Sequence, residues 1–228
     1  SVGASTCTLG EVKNRSDFVL DWGSNPAESS PRHASRYSLE PEGLFVPGGR
    51  EDRTCVVVDI CPTPSSVQAD LFLQVKPNSD FEALWTLRAL AQGISLDAET
   101  TQRETGVSLD AWQDLLVRMK ASRYGVIFFG QGLCGSRGEQ CNSEAVLLLV
   151  RELNAFPRFV AKSIGGEGNV VGAENVLTWR TGFPFGVNLS RGYPRYNPGE
   201  YTVGETLARR EADAALLVGW LFGFEACG

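Results

Sequence analysis

The chain has 228 residues, 43% hydrophobic and 21% charged, with 21 Lys and Arg against 27 Asp and Glu for a net charge of −6. That composition allows one large α/β domain or two domains of about 100 residues each and excludes a disordered or fibrous chain. It argues against general attraction to nucleic acid or an anionic membrane. No apolar run reaches the ~20 residues of a membrane-spanning helix, and the best, 212–226, carries Asp213 and Glu225.

In chain order, Asp17 to Trp22 (DFVLDW) reads as a strand, followed from Pro26 by a loop and a short helical or irregular stretch containing Pro31 and Pro41. Thr54 to Ile60 (TCVVVDI) is a β-branched run suited to a strand buried on both faces, and Asp70 to Val75 (DLFLQV) a third strand. Asp80 to Gln92 reads as a helix, with Ser79 or Asp80 as N-cap and Gly93 as its stop; Leu109 to Met119 is another, capped by Ser108. Tyr124 to Gly130 returns to strand, Ser143 to Leu153 to helix and Arg158 to Ile164 to strand. Glu205 to Glu211 reads as a helix leading into a strand, Ala215 to Gly219. The alternation predicts an α/β fold with a largely parallel sheet. From about Gly165 to Tyr201, glycine, proline, asparagine and aromatics break the pattern, which predicts a long irregular stretch serving a site or an interface. A domain boundary is expected near Ser122, giving units 1–122 and 123–228. Ser1 and Gly228 both look like cut ends, so the absence of a signal peptide says little.

In open α/β sheets, ligands bind outside the carboxyl ends of the strands. The loops to inspect are therefore WGSNP (Trp22 to Pro26), DICPTP (Asp59 to Pro64), FFGQGL (Phe128 to Leu133) and VGWLFG (Val218 to Gly223). In the first, Gly23, Ser24, Asn25 and Pro26 fit either part of a phosphate loop or a structural turn, since the spacing of the known phosphate-loop motifs is missing. The glycines of GQGLCGSRGEQ carry the same two readings. Asp59, closing a buried strand, suits hydrogen bonds from a ribose or nucleobase, or a cap on the following turn. His33 is the single histidine, so no His-rich metal site is expected and nucleophilic catalysis is disfavoured. The six cysteines are scattered without a CxxC pair, which predicts a reduced, cytoplasmic protein with buried thiols rather than a metal or disulfide framework. Thr181 to Thr202, rich in aromatics, Arg and Pro, suits an interface core or the wall of a cofactor groove. No set of catalytic acid, base or nucleophile is visible.

Taken together, TLGEVKNRSDFVLDWGSNP, SPRHASRYS, the GGREDR, VVVDICPT and ADLFLQVKP run, GGEGNVVGAENVLTWRTGFPF and SRGYPRYNPGE resemble the B-type subunits of the formylmethanofuran dehydrogenase family, within the molybdopterin oxidoreductase superfamily. The resemblance covers nearly the whole chain. It implies three-layer α/β/α Rossmann-like domains like the central domains of formate dehydrogenase-type enzymes, and a tungsten or molybdenum ion held by pterin–guanine dinucleotides. It places Gly23, Ser24, Asn25 and Pro26 on one nucleotide loop. Asp59 with Thr63, and Pro77 with Asp80, fall on the family's D-P-R and P-G-[TS]-D elements, while Gly130, Gly132, Gly168, Asn169 and Gly172 face the other pterin. The first element here reads Asp59-Ile60-Cys61, and Asn78 stands for the glycine of the second, so both look weakened. No metal ligand is expected within this chain. The resemblance therefore points first to a non-redox scaffold subunit of a bacterial formyltransferase/hydrolase complex. The alternative is part of a working tungsten or molybdenum dehydrogenase whose metal-ligand segment lies elsewhere. Both imply partner subunits, with neither nucleic acid nor membrane.

Overall fold

A computed structural model describes residues 6–165 and 170–216. Five strands, β1 (Phe18–Trp22), β2 (Thr54–Asp59), β3 (Leu71–Gln74), β4 (Tyr124–Phe129) and β5 (Arg158–Ser163), form one sheet in the order β3-β2-β1-β4-β5. Every pairing is parallel, with Phe18 opposite Thr54 on one side and Gly125 on the other. β1 is buried along its whole length, Asp21 included, and β2 from Cys55 to Val58, as strands covered on both faces require.

One face carries the larger core. Phe18, Leu20, Trp22, Val56, Val58, Ile127 and Phe159 pack there against helices α3 (Asp80–Ala91), α5 (Leu109–Ala121) and α7 (Gln140–Leu153). Their apolar stripes include Leu84 and Leu87, Trp112 and Leu115, and Val146 and Leu149. The other face carries a smaller core, Val19, Cys55, Val126, Phe128 and Val160, against Val12 of α1 (Leu9–Arg15) and Leu39. The first unit is thus a three-layer α/β/α structure.

Local chemistry sets the helix ends as expected. Ser108 Oγ accepts from Ala111 N at 3.3 Å at the start of α5, and Gly93 (φ +78) follows α3. Ser79 is the N-cap of α3 but makes no side-chain cap bond; its Oγ donates to Lys76 O at 2.7 Å instead. α1 begins with a capping box, Glu11 N donating to Thr8 Oγ1 at 3.1 Å and Thr8 N to Glu11 Oε2 at 2.8 Å. Two short helices, α2 (Pro26–Ser29) and α6 (Gln131–Gly135), follow β1 and β4, and α4 (Ala98–Thr105) precedes α5.

The chain divides into two compact units, Ser1–Ile164 and Gly165–Gly228. Ser122, near which a boundary was expected, is the turn into β4 within the first unit, where β4 and β5 extend the sheet that β1 begins. In the second unit, the stretch expected to be irregular contains α8 (Val170–Thr181). Glycines on either side obscured a proline-free run in which Thr181 Oγ1 bonds back to Leu177 O at 2.8 Å. Beyond it the backbone is irregular, with Phe183 stacked on Tyr196 at 5.4 Å and Arg195 over Tyr201 at 5.3 Å, until α9 (Val203–Ala208). Most of the expected strand Ala215 to Gly219 lies outside the described residues.

Arg53, 3% exposed, has no carboxylate partner among the described residues. Its guanidinium donates to the carbonyls of Ser16 (3.0 Å), Leu39 (2.9 Å), Pro41 (2.7 Å) and Lys13 (2.7 Å), joining the α1–β1 junction to the 39–41 loop. Arg53→Met leaves these acceptors unpaired at about 1–3 kcal/mol for each that water does not reach, so a loss of at least about 3 kcal/mol in urea unfolding is expected. Asp21 lies within the sheet, 4% exposed, with Oδ1 unpartnered. Burial raises its carboxyl from 3.8 to about 7. A raised folded-state value means stability that is full below 3.8 and is lost as pH rises through about 7. The stability difference between Asp21→Asn and the parent should therefore shift in the variant's favour across that window and level off above it, read from urea midpoints at each pH.

Candidate functional site

The strand order places a topological switch point between β1 and β4, since the chain runs outward through β2 and β3 on one side and through β5 on the other. A cavity of about 340 Å³ opens there, at the carboxyl ends of β1, β2 and β4. Its walls are Gly23, Asp59 with Ile60, Pro77 to Asp80 in part, and Gln131 to Ser136 in part. Gly23, Asp59, Pro77, Asp80 and Gly132, five of the residues singled out in the sequence, therefore share one site.

Asp80 is 3% exposed and fixed from below: Trp22 Nε1, at the end of β1, donates to its Oδ1 at 2.9 Å. Trp22 itself is fully buried and stacked on Trp112 at 6.1 Å. Asp59 Oδ1 accepts from Ile60 N at 2.7 Å. Burial raises the Asp59 carboxyl and the nearby Asp80 charge adds to the rise, against the lowering by backbone N–H bonds. Two acids facing one half-enclosed space favour a ligand that brings N–H or O–H donors. Asn78, between them, adopts φ +63. The asparagine at the glycine position thus keeps the left-handed turn that glycine would supply, asparagine being the commonest non-glycine residue there. Its Oδ1 accepts from Arg137 N at 3.0 Å, tying this turn to the loop after α6.

The glycines act differently from a phosphate cradle. Gly23 has φ +53, and a Cβ on it would lie 2.4 Å from Leu133 N. Gly132 N donates to Gly23 O at 2.9 Å and Gly130 N to Trp22 O at 3.2 Å. A Cβ at Gly130 would meet Gly23 O at 2.8 Å. These residues let the loops after β1 and β4 interlock, and the chain's own backbone fills the space their missing side chains leave. Asn25 and Thr63 serve turns: Asn25 Oδ1 accepts from Ser65 Oγ at 2.8 Å and its Nδ2 donates to Glu28 at 2.7 Å, while Thr63 N donates to Ser66 Oγ at 3.0 Å. Pro26 is a buried first residue of α2, and Ser24 is 8% exposed with its Oγ unpartnered.

Of the residues expected at the other pterin, Gly172 lies in α8 of the second unit, and Gly168 and Asn169 lie outside the described residues. Gln131 and Ser136 line the cavity without having been singled out; only the assembled loops show them. His33 is buried against Phe128, edge to face at 4.8 Å, its Nε2 unpartnered, and burial with Lys162 nearby lowers it to about 4. Cys7 and Cys55 are buried, Cys55 pushed up to about 12 by burial. Cys134 and Cys141 correct the buried-thiol reading, being exposed on the glycine-rich segment after β4. No three His, Cys, Asp or Glu side chains converge as a metal-binding group among the described residues. Nor is any described helix long and apolar enough to cross a membrane.

The chain is 45% identical over 215 residues to the B-type subunit of the tungsten-containing formylmethanofuran dehydrogenase 2 of Methanocaldococcus jannaschii, covering 94% of this chain and 49% of that protein. Its counterpart in Methanococcus maripaludis is 42% identical over 217 residues, 95% of this chain and 49% of that protein. The B-type subunit of the formyltransferase/hydrolase complex of Methylorubrum extorquens is 31% identical over 116 residues, 51% of this chain and 30% of that protein. The crystal structure of that complex with methylofuran superposes at a TM-score of 0.68 and 24% identity over 97% of this chain and 56% of the matched one, a likeness of fold. No family model matches. The chain spans about half the length of the first two relatives.

Gly23→Ala forces a left-handed backbone and drives a methyl into the backbone after β4. A loss of more than about 2 kcal/mol is expected, read as a lower urea midpoint. Gly135→Ala, whose Cβ would meet nothing within 4 Å, should leave that midpoint nearly unchanged.

Proposed function

Because this chain belongs to the family of formylmethanofuran dehydrogenase B-type subunits, we propose that it is the part of such a subunit that grips the nucleotide end of a pterin cofactor, within a multi-subunit one-carbon complex. The observation that carries this reading is the meeting of Asp59 and Asp80 on one cavity at the switch point, with Asn78 holding the left-handed turn between them. Of the two family elements that look weakened in sequence, both present a carboxylate to the cavity, and the second has a left-handed backbone at Asn78.

The donor set fits one part of the cofactor. Asp59 and Asp80 suit sugar hydroxyls or base N–H groups, and a cavity of about 340 Å³ suits a nucleoside more than a whole dinucleotide. No Lys or Arg lines it among the described residues, so phosphates would meet uncharged donors there, backbone N–H groups and the Gln131 amide. When bound, a pterin-held tungsten or molybdenum would supply two-electron exchange at a formyl carbon. This chain's residues would bind and orient: Trp22 aims Asp80, Ile60 N holds Asp59, and Asn78 keeps the connecting turn in place. The metal's protein ligand would come from outside this chain.

Sequence identity favours the dehydrogenase-type reading, since the two tungsten-containing relatives match at 42–45% over nearly the whole chain and the formyltransferase/hydrolase relative at 31% over about half. The non-redox scaffold is a second reading, supported by a cavity lining without Lys or Arg among the described residues and by glycines whose space is filled by backbone rather than left for a ligand. Elemental analysis of the natively purified complex, with extraction of its pterin, separates the two. The expected result is about one equivalent of tungsten or molybdenum for each pair of guanine-bearing pterins, with at least a severalfold lower yield of both in the Asp59→Asn/Asp80→Asn variant. A complex that releases formate while holding neither metal nor pterin would establish the scaffold instead.

A further inference from the structure

A second cavity lies at the opposite, amino-terminal edge of the sheet. It measures about 460 Å³ and is lined by Glu11, Arg15, Phe45, Arg123, Tyr124 and Arg158. Three guanidinium groups thus converge on one concavity of a chain whose net charge is −6. They come from separate segments: Arg15 ends α1, Arg123 precedes β4, and Arg158 begins β5 directly opposite Tyr124.

The frame around them is fixed. Arg53 ties the end of α1 to the sheet edge through its carbonyl bonds. Phe45 N donates to Asn14 O at 2.9 Å, and Arg123 is held by Asp17 at 3.0 Å and by Phe45 O at 3.1 Å. The other two, Arg15 and Arg158, form no ion pair within 4 Å among the described residues. The one acid in the wall, Glu11, has its Oε2 engaged by Thr8 in the capping box. Arg15 lies 4.9 Å from the centre of the Phe45 ring, which is 47% exposed. Beyond the Thr8 hydrogen bonds, Arg15 and Arg158 lower the Glu11 carboxyl electrostatically, and Asp17 pairs with Arg123, so the cluster keeps an excess of positive charge that a bound anion would balance. Guanidinium groups match the planar oxygens of carboxylates and phosphates.

We propose that this cavity is a ligand site for an oxyanion, carboxylate or phosphate monoester, attached to an apolar or planar body that lies against Phe45. Arg15 and Arg158 clamp the oxyanion, Arg123 holds the wall, and Phe45 selects for the attached body. The site is separate from the strand-end cavity and does not depend on the cofactor reading.

Titration calorimetry on the native complex with phenyl phosphate, benzoate and inorganic phosphate tests the assignment. Saturable binding of at least one aromatic probe, tighter than that of inorganic phosphate, is expected, and the stronger of the two identifies the oxyanion. Arg15→Gln/Arg158→Gln should weaken it at least about tenfold. Phe45→Ala should weaken the aromatic probe and spare inorganic phosphate. Arg118→Gln, on an exposed residue paired with Asp114 elsewhere, should change neither. Absence of saturable aromatic binding, affinity unchanged in the double variant, or binding of inorganic phosphate as tight as the aromatic probe would overturn the proposal.

Discussion

The indole N–H of Trp22 must find an acceptor at the end of a strand buried on both faces, and it finds Asp80. An unpaired donor there would cost about 1–3 kcal/mol, so the bond fixes where α3 starts relative to β1. Stacking of Trp22 on Trp112 adds α5 to the same anchor. The next residue, Gly23, then turns with φ +53 beneath the backbone after β4, which a side chain would obstruct. Asp80 and the closure of the β1 and β4 loops thus follow from one tryptophan and one glycine. Asp59 joins them because β2 runs parallel to β1 and ends beside it.

Much of this was legible from local pattern. Largely apolar runs marked β1, β2 and β4, and the 3.6-residue stripe of Leu109, Trp112, Leu115, Leu116 and Met119 marked α5. α8 was not, because glycine and asparagine on its approach outweigh a helical run that needs Ala173, Glu174 and Leu177 in its interior to declare itself. The expectation near Ser122 arose in a related way: a stretch of helices without strands looks like a separator in sequence, while the next strand, β4, pairs back onto β1. Within the site, Gly23, Asp59, Pro77, Asp80 and Gly132 come together, yet Asn25 and Thr63 in the same loops spend their polar atoms on turns. Spacing cannot show which way a side chain is engaged, nor that Gln131 and Ser136 complete a wall begun far away in the chain.

Asn78 shows the limit of reading motifs by letter. It departs from the family's glycine while keeping the left-handed backbone that the position requires. The proposed nucleotide site would need the turn and the carboxylate it presents, and the chain has Asn78 in a left-handed turn and Asp80 beside it. The two sheet edges also differ in charge in a way composition hides. Arginines stand at or just before the starts of β1, β2, β4 and β5, whereas the carboxyl ends gather Asp59 and Asp80. Arg53 turns inward to hold carbonyls and so stiffens the edge on which Arg15, Arg123 and Arg158 face outward.

The central claim is that the strand-end cavity receives the nucleoside of a pterin cofactor. A cryo-electron microscopy map of the natively purified complex tests it most directly. The account predicts density for a base or ribose between Asp59 and Asp80, with its polar hydrogens within hydrogen-bond reach of both carboxylates. A cofactor nucleotide seated elsewhere, with this cavity filled by a partner's side chain or by water, would contradict it.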